Sequence, residues 1–115
     1  MLVSIIMPSY NSSKTLDDAI RSVQAQSYKL WELIIIDDQS LDQSFNIAKE
    51  HSLNDHRISV VRSDLNVGSG EARNIGINNS NGELIAFLDS DDLWLPNKLD
   101  VQVSMFNDKR VNFIC

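Results

Sequence analysis

A single cysteine, Cys115, stands at the last of 115 positions. An internal disulfide framework is therefore excluded, and so are the Cys and His clusters of a zinc site. A reducing cytosol is compatible with such a chain, and the expected location is cytoplasmic. Basic charge is scarce as well. Ten Lys and Arg face sixteen Asp and Glu, for a net charge of -6 and a pI near 4.6. Nucleic acid and anionic membrane surfaces are accordingly poor partners. No transmembrane segment is evident. The opening Met1 to Met7 is apolar but too short for a signal core, has no basic flank and meets Pro8 at once, so it reads as a first strand. Repeats, low-complexity tracts and linkers are also missing, which leaves 1–115 as one domain.

With 43% hydrophobic residues the chain can bury a core, yet its length is small for a complete two-substrate enzyme, and part of a larger one is expected. Apolar runs recur: about Leu2 to Met7, Trp31 to Ile36, Ile58 to Val61, Leu84 to Leu88 and Val111 to Cys115. Helical spacing separates them. Leu16, Ala19, Ile20 and Val23 share one face, with Ser12 or Ser13 as N-cap. Ser40 and Gln43 form a capping box before a helix that buries Phe45, Ile47 and Ala48. A third helix follows the Gly68 loop and is closed by Asn81-Gly82, and a fourth follows Pro96 with Leu99, Val103 and Phe106 inward. His51 and His56 are read as solvent-exposed. Strands apolar throughout and alternating with helices imply a Rossmann-like α/β fold, a parallel sheet with helices on both faces.

Ligands of such sheets bind beyond the carboxyl ends of the strands, where strand order reverses. Asp37, Asp38, Asp89, Asp91 and Asp92 all sit just past predicted strand ends, as do Tyr10, Asn11 and the Gly68 loop. The likeliest reversal sets the first and fourth strands side by side. Carboxylates as crowded as Asp89, Asp91 and Asp92 repel one another, and a divalent cation relieves that. If strand geometry persists, Asp89 and Asp91 point to one side and Ser90 to the other. Two hard oxygen ligands then suit Mg²⁺ or Mn²⁺. An acidic turn capping the next helix is the plainer alternative.

Four segments together resemble the family 2 glycosyltransferases: Ser4-Ile-Ile-Met-Pro-Ser-Tyr-Asn11, Glu32-Leu-Ile-Ile-Ile-Asp-Asp-Gln-Ser40, Gly70-Glu-Ala-Arg-Asn-Ile-Gly76 and Phe87-Leu-Asp-Ser-Asp-Asp-Leu-Trp-Leu-Pro96. Their order and spacing fit over essentially the whole chain. The resemblance implies a GT-A fold and transfer of a sugar from a nucleotide diphosphate donor, commonly a UDP-sugar, with inversion and a divalent metal on the diphosphate. It further implies that Pro8, Tyr10 and Asn11 line the nucleotide pocket, with the Tyr10 ring on the base. Asp38 would accept the uracil N3–H, and Arg73 would sit near the diphosphate. Gly68, beside Gly70, would let the backbone approach. Asp91 would bind the metal, Asp89 the ribose or the metal, and Ser90 the nucleotide, while Asp92 would cap the helix region at Pro96.

For Asp38 a helix cap remains open, for Arg73 a surface pair with Glu71 or Asp64, and for the glycines a simple turn. The acceptor, a glycan or lipid-linked hydroxyl, and the catalytic base are expected beyond Cys115, in a protein at or near the cytoplasmic membrane face. A homodimer through the apolar C-terminal segment is expected. A receiver-like phosphoacceptor module or a non-catalytic nucleotide-binding domain shares parts of this pattern. Metal-dependent UDP binding would favour the transferase half, and labelling by acetyl phosphate the receiver.

Overall fold

The apolar runs become the strands of one parallel sheet. The computed structural model describes residues 1–107, in the order β1 (Val3–Ser9), α1 (Leu16–Gln24), β2 (Trp31–Asp37), α2 (Ser44–Asn54), β3 (Ile58–Arg62), α3 (Gly68–Asn78), β4 (Leu84–Phe87) and α4 (Lys98–Asn107). Strand order is β3-β2-β1-β4. The order reverses between β1 and β4, as the sequence predicted, with Ile6 of β1 opposite Phe87 of β4 and Ser9 opposite Asp37 of β2. The fifth strand read over Val111–Cys115, and the association through it, lie outside the described residues.

Alternation along each strand divides the core in two. Ile5, Met7, Leu33 and Ile35 pack with α1, α2 and α4 on one face, through Leu16, Ile20, Ala48 and Leu99. Ile6, Ile34 and Ile36 pack on the other face with Ala72 and Ile75 of α3. Because both faces are covered, β1 and β2 are buried at nearly every position, which is why their sequences show no polar alternation.

Several local details differ from the sequence reading. β4 is only partly buried and Phe87 is 47% exposed, because β4 forms an edge of the described sheet. The capping box does not form. α2 begins at Ser44, and the Ser40 hydroxyl instead accepts the Asn11 N–H at 2.9 Å. Neither Ser12 nor Ser13 is the N-cap of α1, which begins after Thr15, because the loop before it folds as a turn with the Leu16 N–H on the Ser12 carbonyl. Asn79 rather than Asn81-Gly82 closes α3, and Gly82 lies against the Ser4 backbone, where an added Cβ would sit 2.7 Å from the Ser4 nitrogen. His51 is not free in solvent either: its Nε2 lies 2.7 Å from Asp17 and ties α2 to α1, whereas His56 is exposed.

Candidate functional site

The carboxyl ends of β1, β2 and β4 and the first turns of α3 open onto one cleft of about 740 Å³. Pro8, Tyr10, Asn11, Asp38, Arg73, Asp89, Ser90 and Asp91 all line it, so residues up to 83 positions apart in sequence meet at one place. Gly68 does not line it. With φ +82° it instead makes the turn that starts α3, and Ser69 reaches the cleft from that turn. No backbone approach needs Gly70, since a Cβ there would meet nothing within 4 Å.

Tyr10 lines the cleft and is 49% exposed. Asn11 occupies the left-handed region, φ 49°, which asparagine tolerates better than most residues. Its side chain points away from a ligand role, because Oδ1 accepts the Leu41 N–H at 2.8 Å and fastens the β1–α1 loop to the β2–α2 loop. Asp42 fastens the same two loops. It accepts N–H bonds from Ser44 at 2.9 Å and Ser13 at 3.1 Å. Burial pushes its carboxyl up, but the bonds from Ser44 and Ser13 prevail and lower it to about 2.

Asp38 is buried, 5% exposed, and its carboxylate is largely occupied. Oδ1 accepts from the Ser63 hydroxyl at 2.9 Å and the Val67 N–H at 2.8 Å, and Oδ2 from the Gly68 N–H at 2.9 Å. Burial raises its pKa, yet the bonds from Val67, Ser63 and Gly68 outweigh that and hold it below the ordinary carboxylate range. It therefore caps α3, which starts 30 residues further along the chain after α2 and β3, rather than α2. Of roughly four acceptor positions on a carboxylate, one on Oδ2 is left for a ligand. Asp37 does not reach the cleft; it is 1% exposed and binds the Ser40 N–H and Arg62.

The strand ends at Phe87, so alternation does not carry through Asp89 to Asp91. The segment closes as a turn, with the Asp92 N–H on the Asp89 carbonyl at 3.0 Å. Turning brings a third carboxylate in: Asp89, Asp91 and Asp92 each offer an oxygen within 4.8 Å of the others, all exposed. Asp92 thus joins the cluster instead of capping the Pro96 region, and the first amide of α4 to need a partner, that of Leu99, is taken by Gln26 Oε1 at 3.0 Å. Three clustered, exposed hard oxygens fit a divalent cation, two of them, from Asp89 and Asp91, on the cleft and the third, from Asp92, beside it. Arg73 pairs with Asp89 at 3.1 Å rather than with Glu71 or Asp64. With side chains 35% and 51% exposed, this pair is readily rearranged by a ligand.

The β1–α1 loop contributes more than the sequence reading assigned to it. Ser12, Ser13, Lys14 and Thr15 also line the cleft, as does Asp42. The signal is present in the sequence, since these residues follow Tyr10 and Asn11 past the same strand end, but serines ahead of an apolar helical stripe point equally to a helix cap. Among the described residues, no helix is long and apolar enough to cross a membrane.

A family model described as Glycosyl transferase family 2 matches residues 4–115. The UDP-Glc:alpha-D-GlcNAc-diphosphoundecaprenol beta-1,3-glucosyltransferase WfgD of Escherichia coli is 43% identical over 98% of the chain, which spans 44% of that protein's length. The crystal structure of S. aureus TarS 1-349 in complex with UDP-GlcNAc matches with a TM-score of 0.87 and 29% identity, over 96% of this chain and 32% of that one. At 22% identity, the mannosyltransferase PcManGT from Pyrobaculum calidifontis, in complex with GDP-Man and Mn²⁺, shares the fold with a TM-score of 0.87, over 95% of this chain and 33% of that one.

Proposed function

The chain belongs to glycosyl transferase family 2, and from that premise we propose that it is the donor-binding part of an inverting, metal-dependent transferase using a UDP-sugar. The observation that carries this reading is the charge of the cleft. Among the described residues Asp38, Asp42, Asp89 and Asp91 face it against Lys14 and Arg73, so a diphosphate needs a cation with it to bind there. Asp89, Asp91 and Asp92 would hold Mg²⁺ or Mn²⁺, which neutralises diphosphate charge and stabilises the departing nucleotide when bound.

The residues of the chain itself divide the remaining work. Tyr10 offers its ring to the base, and Asp38 offers its remaining acceptor position to the uracil N3–H while it holds the loop behind. Pro8 and Ser69 bound the nucleotide pocket. Arg73, released from Asp89, turns to the diphosphate and supplies positive charge as the bond to the sugar breaks. Neither Asp38 nor Asp42 suits deprotonation of an acceptor at neutral pH, since hydrogen bonds keep both well below the useful range.

We place the base and the acceptor site outside residues 1–115. That fits a chain spanning 44% of WfgD. WfgD acts on a diphosphoundecaprenol-linked sugar; an acceptor of that class, lipid-linked and at the cytoplasmic face of the membrane, is the one we assign here. The dimer through 111–115 rests on the sequence alone.

Calorimetric titration with UDP, GDP and ADP in the presence of Mn²⁺ tests the reading. UDP should bind at least about tenfold more tightly than either purine nucleotide, with no sugar transfer by the isolated chain. A purine preference would refute the base assignment, and multiple turnover by the chain would refute the placement of the base.

A further inference from the structure

The acidic turn is weakly held by its own bonds. Besides the Asp92 N–H on the Asp89 carbonyl, its carboxylates face solvent, and Asp89 meets Arg73 only through an exposed pair. A small divalent cation tolerates little error in ligand placement, so a turn free to fluctuate would bind it poorly. Ser90 is the exception. It is buried, 7% exposed, between the aspartates that line the cleft. Its hydroxyl lies 2.6 Å from the Ser12 hydroxyl, and its carbonyl accepts the Thr15 hydroxyl at 2.8 Å.

Ser12 and Thr15 belong to the β1–α1 loop, the loop that carries Tyr10. Ser12 also donates toward the Tyr10 carbonyl at 3.2 Å, and its own N–H is held by the buried Ser44 hydroxyl at 2.7 Å. One hydrogen-bonded chain therefore runs from α2 through the nucleotide loop to the acidic turn.

We propose that Ser12 and Thr15 are positioning residues for the cation seat, holding Ser90 so that the three carboxylates stand in fixed relation to the nucleotide pocket. The inference rests on the donor-binding reading above. Its consequence is coupling: a nucleotide that orders the Tyr10 loop also orders the acidic turn, and a cation on the turn strengthens nucleotide binding by the same factor.

The test uses the 115-residue chain, with Mn²⁺ uptake followed by electron paramagnetic resonance at saturating UDP. Uridine, which carries no phosphate and needs no metal, is titrated by NMR as an independent probe of the base pocket. Loss of the Thr15 hydroxyl in Thr15→Val should weaken Mn²⁺ binding about five- to tenfold, the worth of one hydrogen bond. Uridine affinity should stay within about twofold in the same variant, and Thr15→Ser should restore Mn²⁺ binding. Ser12→Ala should act in the same direction, and the double variant should cost less than the product of the two, because both act through Ser90. Unchanged Mn²⁺ affinity in Thr15→Val overturns the proposal. So does an equal loss of uridine and Mn²⁺ binding, which would mark general damage to the loop. A wild-type chain that takes up Mn²⁺ no better with UDP than without it contradicts the donor reading itself, whatever the variants do.

Discussion

Replacing Asp38 separates its two assigned duties, because one of them is measurable with no nucleotide present. The carboxylate accepts three internal hydrogen bonds, from Ser63, Val67 and Gly68. Bonds to a charged group contribute roughly 1.5–3 kcal/mol each when buried, but Val67 and Gly68 lie at the surface and can turn to water, and the buried Ser63 hydroxyl has a second acceptor in the Asp37 carbonyl at 3.4 Å, so about 1 kcal/mol per bond is the working value. Asp38→Ala should then cost about 3 kcal/mol. Asp38→Asn keeps one acceptor oxygen and sets an NH₂ against a backbone N–H, for a loss of about 1–2 kcal/mol.

Urea unfolding without ligand measures both variants, and amide exchange at Val67 and Gly68 should accelerate with them. The acid dependence has a definite sign. A carboxyl whose folded pKa is depressed contributes stability above its unfolded value, about 3.9, and loses it as pH falls through the folded value, so the gap between wild type and Asp38→Asn should close below about pH 4. An Asn variant as stable as wild type, with unchanged exchange at Gly68, would show that the turn is held by something else and that Asp38 is free to act on the ligand alone.

Two further substitutions probe packing and charge elsewhere in the fold. In Gly76→Ala a Cβ would stand 2.4 Å from Ile6 Cγ2, forcing α3 away from the sheet at a cost of about 1–3 kcal/mol in urea unfolding; a neutral substitution would mean that α3 is more loosely seated than described. Asp55, lowered to about 2 by its bonds with Arg57, should contribute about 2 kcal/mol that Asp55→Asn loses near neutral pH. That contribution disappears as pH falls from about 4 to about 2, so a loss that persists at pH 2 would point to packing rather than charge.

How much of this was legible in the sequence depends on whether one periodicity or several contacts decided the matter. The strands and the α1 face, Leu16, Ala19, Ile20 and Val23, were readable because burial on two faces or on one helical stripe leaves a direct imprint on residue type. The reversal between β1 and β4 followed from the topology rule and set the acidic segment opposite Tyr10. Helix caps were not readable, because the Ser12 and Ser40 hydroxyls have partners in distant segments that outcompete the local bond a cap would make. Asp92 was misassigned for a related reason: past Phe87 the chain turns, and a period of two no longer says which way a side chain points. The place of Asp38 and Asn11 at the cleft follows from their position past the strand ends, while the loop-holding bonds of their side chains lie with Ser63, Val67, Gly68 and Leu41, whose proximity only the fold creates.

The central claim is that Asp89, Asp91 and Asp92 seat a cation on which nucleotide diphosphate binding depends, and calorimetry of UDP with the chain tests it most directly. In Mn²⁺, UDP should bind saturably, and the binding should vanish in excess chelator. Asp91→Asn, which leaves two carboxylates in the cluster, should lose most of the metal-dependent affinity while unfolding at the same urea concentration as wild type. UDP binding of equal strength in chelator and in Mn²⁺, or an Asp91→Asn variant with the full metal response, would contradict the account.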